Sequence, residues 1–128
     1  MRHATENDVD DLVELEQILF EENWLSDVSV QRELNAPSMN LIEGDPAIGY
    51  VLSRWTPSVI DITRLGVLPE AQGNGVGRRL LDAVVLAADR PVMLTVKKKN
   101  HRALRLYRSR AFKVVGQIQD AWVMIRGG

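Results

Sequence analysis

Gln72-Gly73-Asn74-Gly75-Val76-Gly77-Arg78-Arg79 joins two segments of different periodicity. Upstream, residues 59–68 (Val-Ile-Asp-Ile-Thr-Arg-Leu-Gly-Val-Leu) are rich in β-branched and aliphatic side chains and stop at Pro69, the pattern of a strand. Downstream, Leu80, Leu81, Val84, Val85 and Ala88 recur at helical spacing. A strand, a glycine-rich turn and a helix N-terminus together make an anion cradle. Glycines let the backbone approach a ligand closely, and the unpaired N–H groups of a first helical turn attract phosphate. The segment therefore predicts a site for a phosphorylated ligand.

Two familiar phosphate-binding patterns do not fit. A P-loop ends in Gly-Lys-Ser/Thr, whereas this turn ends Gly77-Arg78-Arg79, which argues against ATP or GTP hydrolysis. The dinucleotide fingerprint needs a glycine three residues after the second one, and Arg78 stands three residues after Gly75. A glycine-rich strand-to-helix loop with no ligand remains the alternative, since glycine is an ordinary turn residue.

Working outward, residues 2–5 read as a short strand, and Asn7 or Asp8 can cap a helix to about residue 20 whose apolar face is Val9, Leu12, Val13, Leu15 and Leu19. Ser26 can cap a second helix that ends before Pro37. Residues 39–43 and 47–56 read as strands joined by Gly44-Asp45-Pro46, and Thr56-Pro57-Ser58 turns the chain into the strand described above. The helix after the glycine turn ends near Asp89-Arg90-Pro91, where proline blocks continuation. Residues 92–96 form a short buried-type strand, Asn100 caps a helix to about residue 110, and 113–119 and 121–126 close the chain as strands. This order predicts an α+β fold with αβα layers, a mixed and partly parallel central sheet flanked by helices, in a single domain over residues 1–128. The passage from 59 to 96 should be a right-handed crossover between parallel strands.

Composition narrows the classes. At 128 residues and 45% hydrophobic, the chain supports one compact core. It has no cysteine, which excludes disulfides, thiolate metal sites and a cysteine nucleophile. No group of residues has metal-ligand spacing, and His3 and His101 belong to no cluster. No apolar run approaches the roughly 18 residues of a membrane span, and the polar start Met1-Arg2-His3 carries no secretory pattern, so a cytoplasmic protein is expected. The net charge of −1 conceals an asymmetry: residues 1–64 hold 13 of the 17 acids and four of the 16 bases, and the second half holds the reverse excess. The basic half carries the glycine turn and suits a polyanion, while the acidic half suits a cationic partner. Nucleic acid is disfavoured, because the arginines lack interleaved exposed aromatics and half of the chain is acidic.

Gln72-x-x-Gly75-x-Gly77 after a strand ending Val67-Leu68-Pro69, followed by Asn100-x-x-Ala103-x-x-Leu106-Tyr107-x-x-x-Ala111-Phe112, resembles the GCN5-related N-acetyltransferase (GNAT) superfamily. The likeness covers about residues 2–126 in element order and is sharpest over 59–112. The family's usual glycine before the phenylalanine is Ala111 here. The resemblance implies acetyl-CoA as co-substrate. The backbone of Gln72, Gly73, Asn74, Gly75, Val76 and Gly77 would hold the pyrophosphate, with Arg78 and Arg79 adding charge. The strand edge at Leu65, Gly66 and Val67 would hydrogen-bond the pantetheine arm, Asn100 would touch the cofactor amide region, and Tyr107 would act as acid at the thioester sulfur. Lys97, Lys98, Lys99, Arg102, Arg105 and Arg108 lie where they could meet the remaining phosphates of the cofactor, and most of them read as a solvated face.

Amine acetylation needs a neutral nitrogen, yet amino groups titrate at about 8 for a chain terminus and about 10.4 for lysine. A proton must leave the amine, the thioester carbonyl must be polarised and the thiolate protonated. Without cysteine, direct transfer in a ternary complex is the simplest route. The resemblance makes the Val67 N–H the carbonyl's partner and Asp61 a base acting through water, with plain alternation placing Asp61, Thr63 and Leu65 on one face. Thr95 stands where the ribosomal-protein alanine-acetylating branch has its glutamate. Phe20-Glu21-Glu22-Asn23-Trp24-Leu25-Ser26, followed by Gln31-x-Glu33-Leu34, nevertheless resembles that branch's acceptor segment. There Trp24 would wall the cleft, with Glu21 and Glu22 attracting the amine. The expected acceptor is a primary amine, with a peptide or protein N-terminus or a lysine slightly favoured over a small amine because of the 20–34 segment. The alternative is a CoA-binding sensor of the same fold with little or no turnover. Either a monomer or a homodimer paired through an exposed last strand fits.

Overall fold

The computed structural model of the protein describes residues 1–127. The strands are β1 (Arg2–His3), β2 (Ser38–Glu43), β3 (Gly49–Trp55), β4 (Ile60–Val67), β5 (Val92–Lys97), β6 (Lys113–Ile118) and β7 (Ala121–Arg126). The helices are α1 (Val9–Leu19), α2 (Asp27–Asn35), α3 (Val76–Ala87) and α4 (His101–Ser109). The strands form one sheet in the order β1-β2-β3-β4-β5-β7-β6, in which β4 and β5 are the parallel pair and the other pairings are antiparallel. The α+β, αβα layering expected from the sequence is the observed one. Among the described residues, no helix is long and apolar enough to cross a membrane.

Each face of the sheet has its own core. Val76, Leu80, Leu81 and Val84 of α3 and Leu104 of α4 pack on Val51, Ile60, Ile62, Val92, Leu94 and Met124. On the other face Val9, Leu12 and Leu15 of α1 and Val30 of α2 meet Ile42, Tyr50 and Leu52. Each such aliphatic side chain contributes about 1.5–3 kcal/mol when fully buried. Truncating Leu80, which is fully buried, to alanine would cost about 2–5 kcal/mol.

Several boundaries differ from the sequence expectation for local reasons. Asp8 stands at the N-cap position of α1 as expected but makes no side-chain cap bond there, because a 3-10 turn (Glu6–Asp8) with its own cap, Thr5, precedes the helix. Thr5 Oγ1 accepts the Asn7 N–H at 3.3 Å, and the Asp8 carboxylate turns back to the Thr5 N–H at 2.7 Å, a reciprocal capping box. Asp8 also binds Arg2 through both oxygens, at 2.9 and 2.7 Å. β3 starts at Gly49 and not at Ala47, because Gly44 takes φ +89° and the Ile48 N–H closes the turn on the Glu43 carbonyl. At the end of α4, the Phe112 N–H bonds the Tyr107 carbonyl and the Ala111 N–H the Arg108 carbonyl. That is a Schellman ending, and Ala111 occupies its left-handed position at φ +67°, where glycine is usual.

Two irregularities of β4 prepare the site. First, β4 pairs with β5 only through Ile60, Ile62 and the residue between them, opposite Val92, Met93 and Leu94. β5 meanwhile stays paired with β7 along its whole length, so the last five residues of β4 have no strand on that side. Second, Leu52 of β3 lies opposite Arg64 while Ser53 lies opposite Ile62, which leaves Thr63 as a bulge. The Thr63 hydroxyl donates to the Leu52 carbonyl at 3.1 Å and fixes it. A bulge resets alternation. Asp61 therefore shares the α1/α2 face with its cross-strand partner Arg54, while Leu65 and Val67 belong to the α3/α4 core. Plain alternation had placed Asp61 and Leu65 on one face; the extra residue separates them.

Candidate active site

The splayed edge of β4, the glycine turn and α4 enclose a cleft of about 620 Å³. Leu65 and Val67 supply one wall, Gln72, Gly73, Gly75, Val76, Gly77 and Arg78 the floor, and Asn100, Arg102, Arg105, Leu106 and Tyr107 the opposite wall. Gly73 and Gly75 have φ of +87° and +81°, a conformation that costs other residues about 1–2 kcal/mol. No side chain caps α3 and no acid lies in its first turn, so its leading N–H groups are open to an anion. An added Cβ at Gly77 would come 3.5 Å from Val67 Cγ2 and 3.8 Å from Leu106 Cδ2, so the absent side chain is part of the space.

Side chains brace this turn. Gln72 Nε2 donates to the Val67 carbonyl at 3.1 Å, and Arg102 donates to Gln72 Oε1 at 3.2 Å, linking β4, the turn and α4. Arg79 reaches Glu43 at 3.1 Å and the Asn74 carbonyl at 3.1 Å, so its charge is spent on the scaffold. Arg78 makes no such pair among the described residues and lies at the cleft.

Tyr107 is buried, its ring 5.9 Å from that of Phe112 at 58°. Its hydroxyl has no hydrogen-bond partner among the described residues, and burial pushes its pKa up to about 12. The phenol thus stays protonated at neutral pH, the state an acid requires. Asn100 caps α4 by accepting the Ala103 N–H at 3.2 Å through Oδ1, and it lines the cleft.

Leu65, Val67, Gln72, Gly73, Gly75, Val76, Gly77, Arg78, Asn100 and Tyr107, expected from the sequence, meet in this one cleft. Gly66 and Asn74 do not line it. A Cβ on Gly66 would strike Leu19 at 2.9 Å and the Tyr50 ring at 3.0 Å, on the far face of the sheet. Asn74 turns outward, exposed. Asp61 is half-buried on the α1/α2 face; desolvation raises its pKa above the usual carboxylate value, and Arg54 offsets part of the rise. Glu21 and Glu22 line a smaller hollow with Ile18, Leu19, Phe20 and Asn23, and Trp24 beside it is exposed. Arg102 and Arg105, which the sequence offered as possible phosphate partners within a mostly solvated basic group, both line the cleft. Their spacing of three on a helix capped by Asn100 was the available signal that they share one wall.

A family model described as the acetyltransferase (GNAT) family matches residues 8–112. The chain belongs to this family. A GNAT protein of this kind is an acetyl-CoA-dependent N-acetyltransferase, and the glycine turn with its uncapped helix fits the phosphates of that co-substrate. The chain is 35% identical over 122 residues to N-alpha-acetyltransferase RimI of Mycobacterium tuberculosis, covering 88% of this chain and 77% of that protein. Its fold matches Arabidopsis thaliana Naa50, solved in complex with the bisubstrate analogue CoA-Ac-MVNAL, at a TM-score of 0.87 and 20% identity over 99% of this chain and 97% of the other. It also matches the ribosomal-protein-S18-alanine N-acetyltransferase of Escherichia coli at 0.84 and 16%, over 97% and 90%. Among the described residues, no three His, Cys, Asp or Glu side chains gather as a metal site would require.

Proposed function

We propose that this GNAT acetyltransferase acts on the N-terminal amine of a peptide or protein, with lysine as the second acceptor class, by direct transfer in a ternary complex. The observation that carries this reading is the splay of β4 from β5, which opens the sheet between the cofactor cleft and the face bearing α1, α2 and the acidic segment. A donor held from one face is then reachable by an amine from the other. The co-substrate brings an acetyl group activated as a thioester. Gly73, Gly75 and the first turn of α3 bind its phosphates, and the free edge of β4 from Leu65 to Val67 aligns its amide-bearing arm as an added strand would be. The Val67 N–H polarises the carbonyl.

Asp61 is the proposed base and accepts the amine proton through water. The C–N bond forms as the C–S bond breaks, and the Tyr107 hydroxyl gives its proton to the departing sulfur. Glu21 and Glu22 draw the cationic amine inward, and Trp24 borders its path. The name of the Mycobacterium tuberculosis relative and the peptide analogue in the Naa50 complex support an α-amine over lysine. The CoA-binding sensor stays as the second reading on one observation. The β5 position where a relative branch has a glutamate is Thr95, an exposed and non-basic side chain.

A peptide panel with free and blocked N-termini, with and without lysine, decides between them. Mass spectrometry should find one added acetyl group on the free α-amine. Acetylation of lysine alone would reverse the preference, and no acetylation of any acceptor despite tight acetyl-CoA binding would favour the sensor.

A further inference from the structure

The side chain of Glu16 is the most deeply buried acid in the protein, with no exposed surface, and it lies away from the cofactor cleft. Its Oε1 accepts the Leu25 N–H at 2.8 Å and Arg64 Nε at 3.1 Å, and its Oε2 accepts the Tyr50 hydroxyl. Arg64 in turn donates from Nη2 to the Asn23 carbonyl at 2.5 Å, and its guanidinium carbon lies 4.5 Å from the centre of the Phe20 ring. Every one of these contacts ends on the segment between α1 and α2 or on the two strands beneath it. Among the described residues, the hydrogen bonds that tie residues 21–25 to the body of the fold are those from Leu25 to Glu16 and from Arg64 to Asn23.

From this arrangement we infer that Arg64 and Glu16 are positioning residues that hold the α1–α2 segment in register with the splayed part of β4 and thereby set acceptor recognition. Arg64 stands directly after the Thr63 bulge and directly before Leu65. A planar guanidinium can bond a carboxylate, bond a carbonyl and stack on a ring at once; an ammonium group cannot. Glu16 is fully buried beside a partly buried Arg64, so the desolvation of the carboxylate is compensated only while its partners are in place. The segment that carries Glu21, Glu22 and Trp24 is thus coupled to the strand whose edge faces the cofactor cleft. The acceptor part of this inference rests on the function proposed above; the clamp itself does not.

The test is Arg64→Lys, with the double variant Glu16→Gln/Arg64→Gln as the replacement if the single variant does not fold. Hydrogen exchange followed by mass spectrometry reads the segment directly. Amides of residues 21–25 should exchange about tenfold faster or more, since their two anchors are weakened. The acceptor KM should rise by about tenfold, while kcat and the acetyl-CoA Kd stay within about twofold. Unchanged exchange in a folded variant overturns the clamp, whatever the activity does. Faster exchange with an unchanged acceptor KM, or an equal loss of acetyl-CoA affinity, overturns its role in acceptor recognition. If the native protein acetylates no acceptor, the proposed function fails while the exchange comparison still decides the clamp.

Discussion

Gly77 faces Leu106 across the cleft, with 3.8 Å between the position of an added Cβ and Leu106 Cδ2. Helix geometry there is ordinary, so the glycine serves the space and not the backbone. Gly77→Ala should leave the melting temperature unchanged or raise it, because alanine favours a helix over glycine by up to about 1 kcal/mol. Gly77→Leu should fold as well and lose acetyl-CoA affinity by about tenfold or more, as its side chain takes the ligand's place. Calorimetry beside a thermal melt separates the two effects. Undiminished binding by the leucine variant would remove the cleft as the cofactor site.

Tyr107→Phe keeps the ring against Phe112 and removes only the hydroxyl. The expected result is a fall in kcat of about 10²-fold with the acetyl-CoA KM unchanged. A group whose pKa is raised to about 12 donates its proton below that value and loses the ability above it. The native enzyme should therefore show no alkaline loss of kcat from this group up to about pH 11. Steady-state rates across pH for both proteins check the pair of statements.

Asp61, the proposed base, has its pKa raised by desolvation, and such a group accepts a proton only above its pKa. Rates should thus fall on the acid side at a pH above the ordinary aspartate value. Asp61→Asn should lower kcat and abolish that acid limb. An unchanged profile in the asparagine variant would assign proton removal to another group.

Ala111→Gly should stabilise the protein by about 0.5–1 kcal/mol. It relieves a left-handed alanine worth about 1–2 kcal/mol, against the extra freedom that glycine gives the unfolded chain. Urea unfolding with an unchanged slope would measure it.

Signals confined to a few neighbouring residues were legible in the sequence. Alternating or helical spacing located the strands and helices, and Gly73, Gly75 and Pro69 marked the turn that the structure builds. The unread features depend on partners far along the chain. Glu16 interrupts an apolar helix face, and nothing nearby says that Tyr50, 34 residues on, and Arg64, 48 residues on, will satisfy it. The Thr63 bulge likewise exists only in relation to Leu52 and Ser53. Arg102 looked solvated because its partner Gln72 lies 30 residues earlier. The candidate base suffered most, since the face that Asp61 occupies is decided by that bulge and not by counting along β4.

The surplus residue at Thr63 has a consequence for how the chain can change. Upstream of it, β4 presents a carboxylate to the acidic side; downstream, the same strand presents Leu65 and Val67 to the other side. Removing Thr63 would rotate one half of the strand through half a turn, bringing either Asp61 beneath α3 or Leu65 beneath α1. Under the proposed function, one side of β4 can then accumulate substitutions that retune the acceptor while the residues facing the cleft on the other side stay as they are. A single-residue deletion at Thr63 would remove that independence, because it re-aims one half of the strand relative to the other.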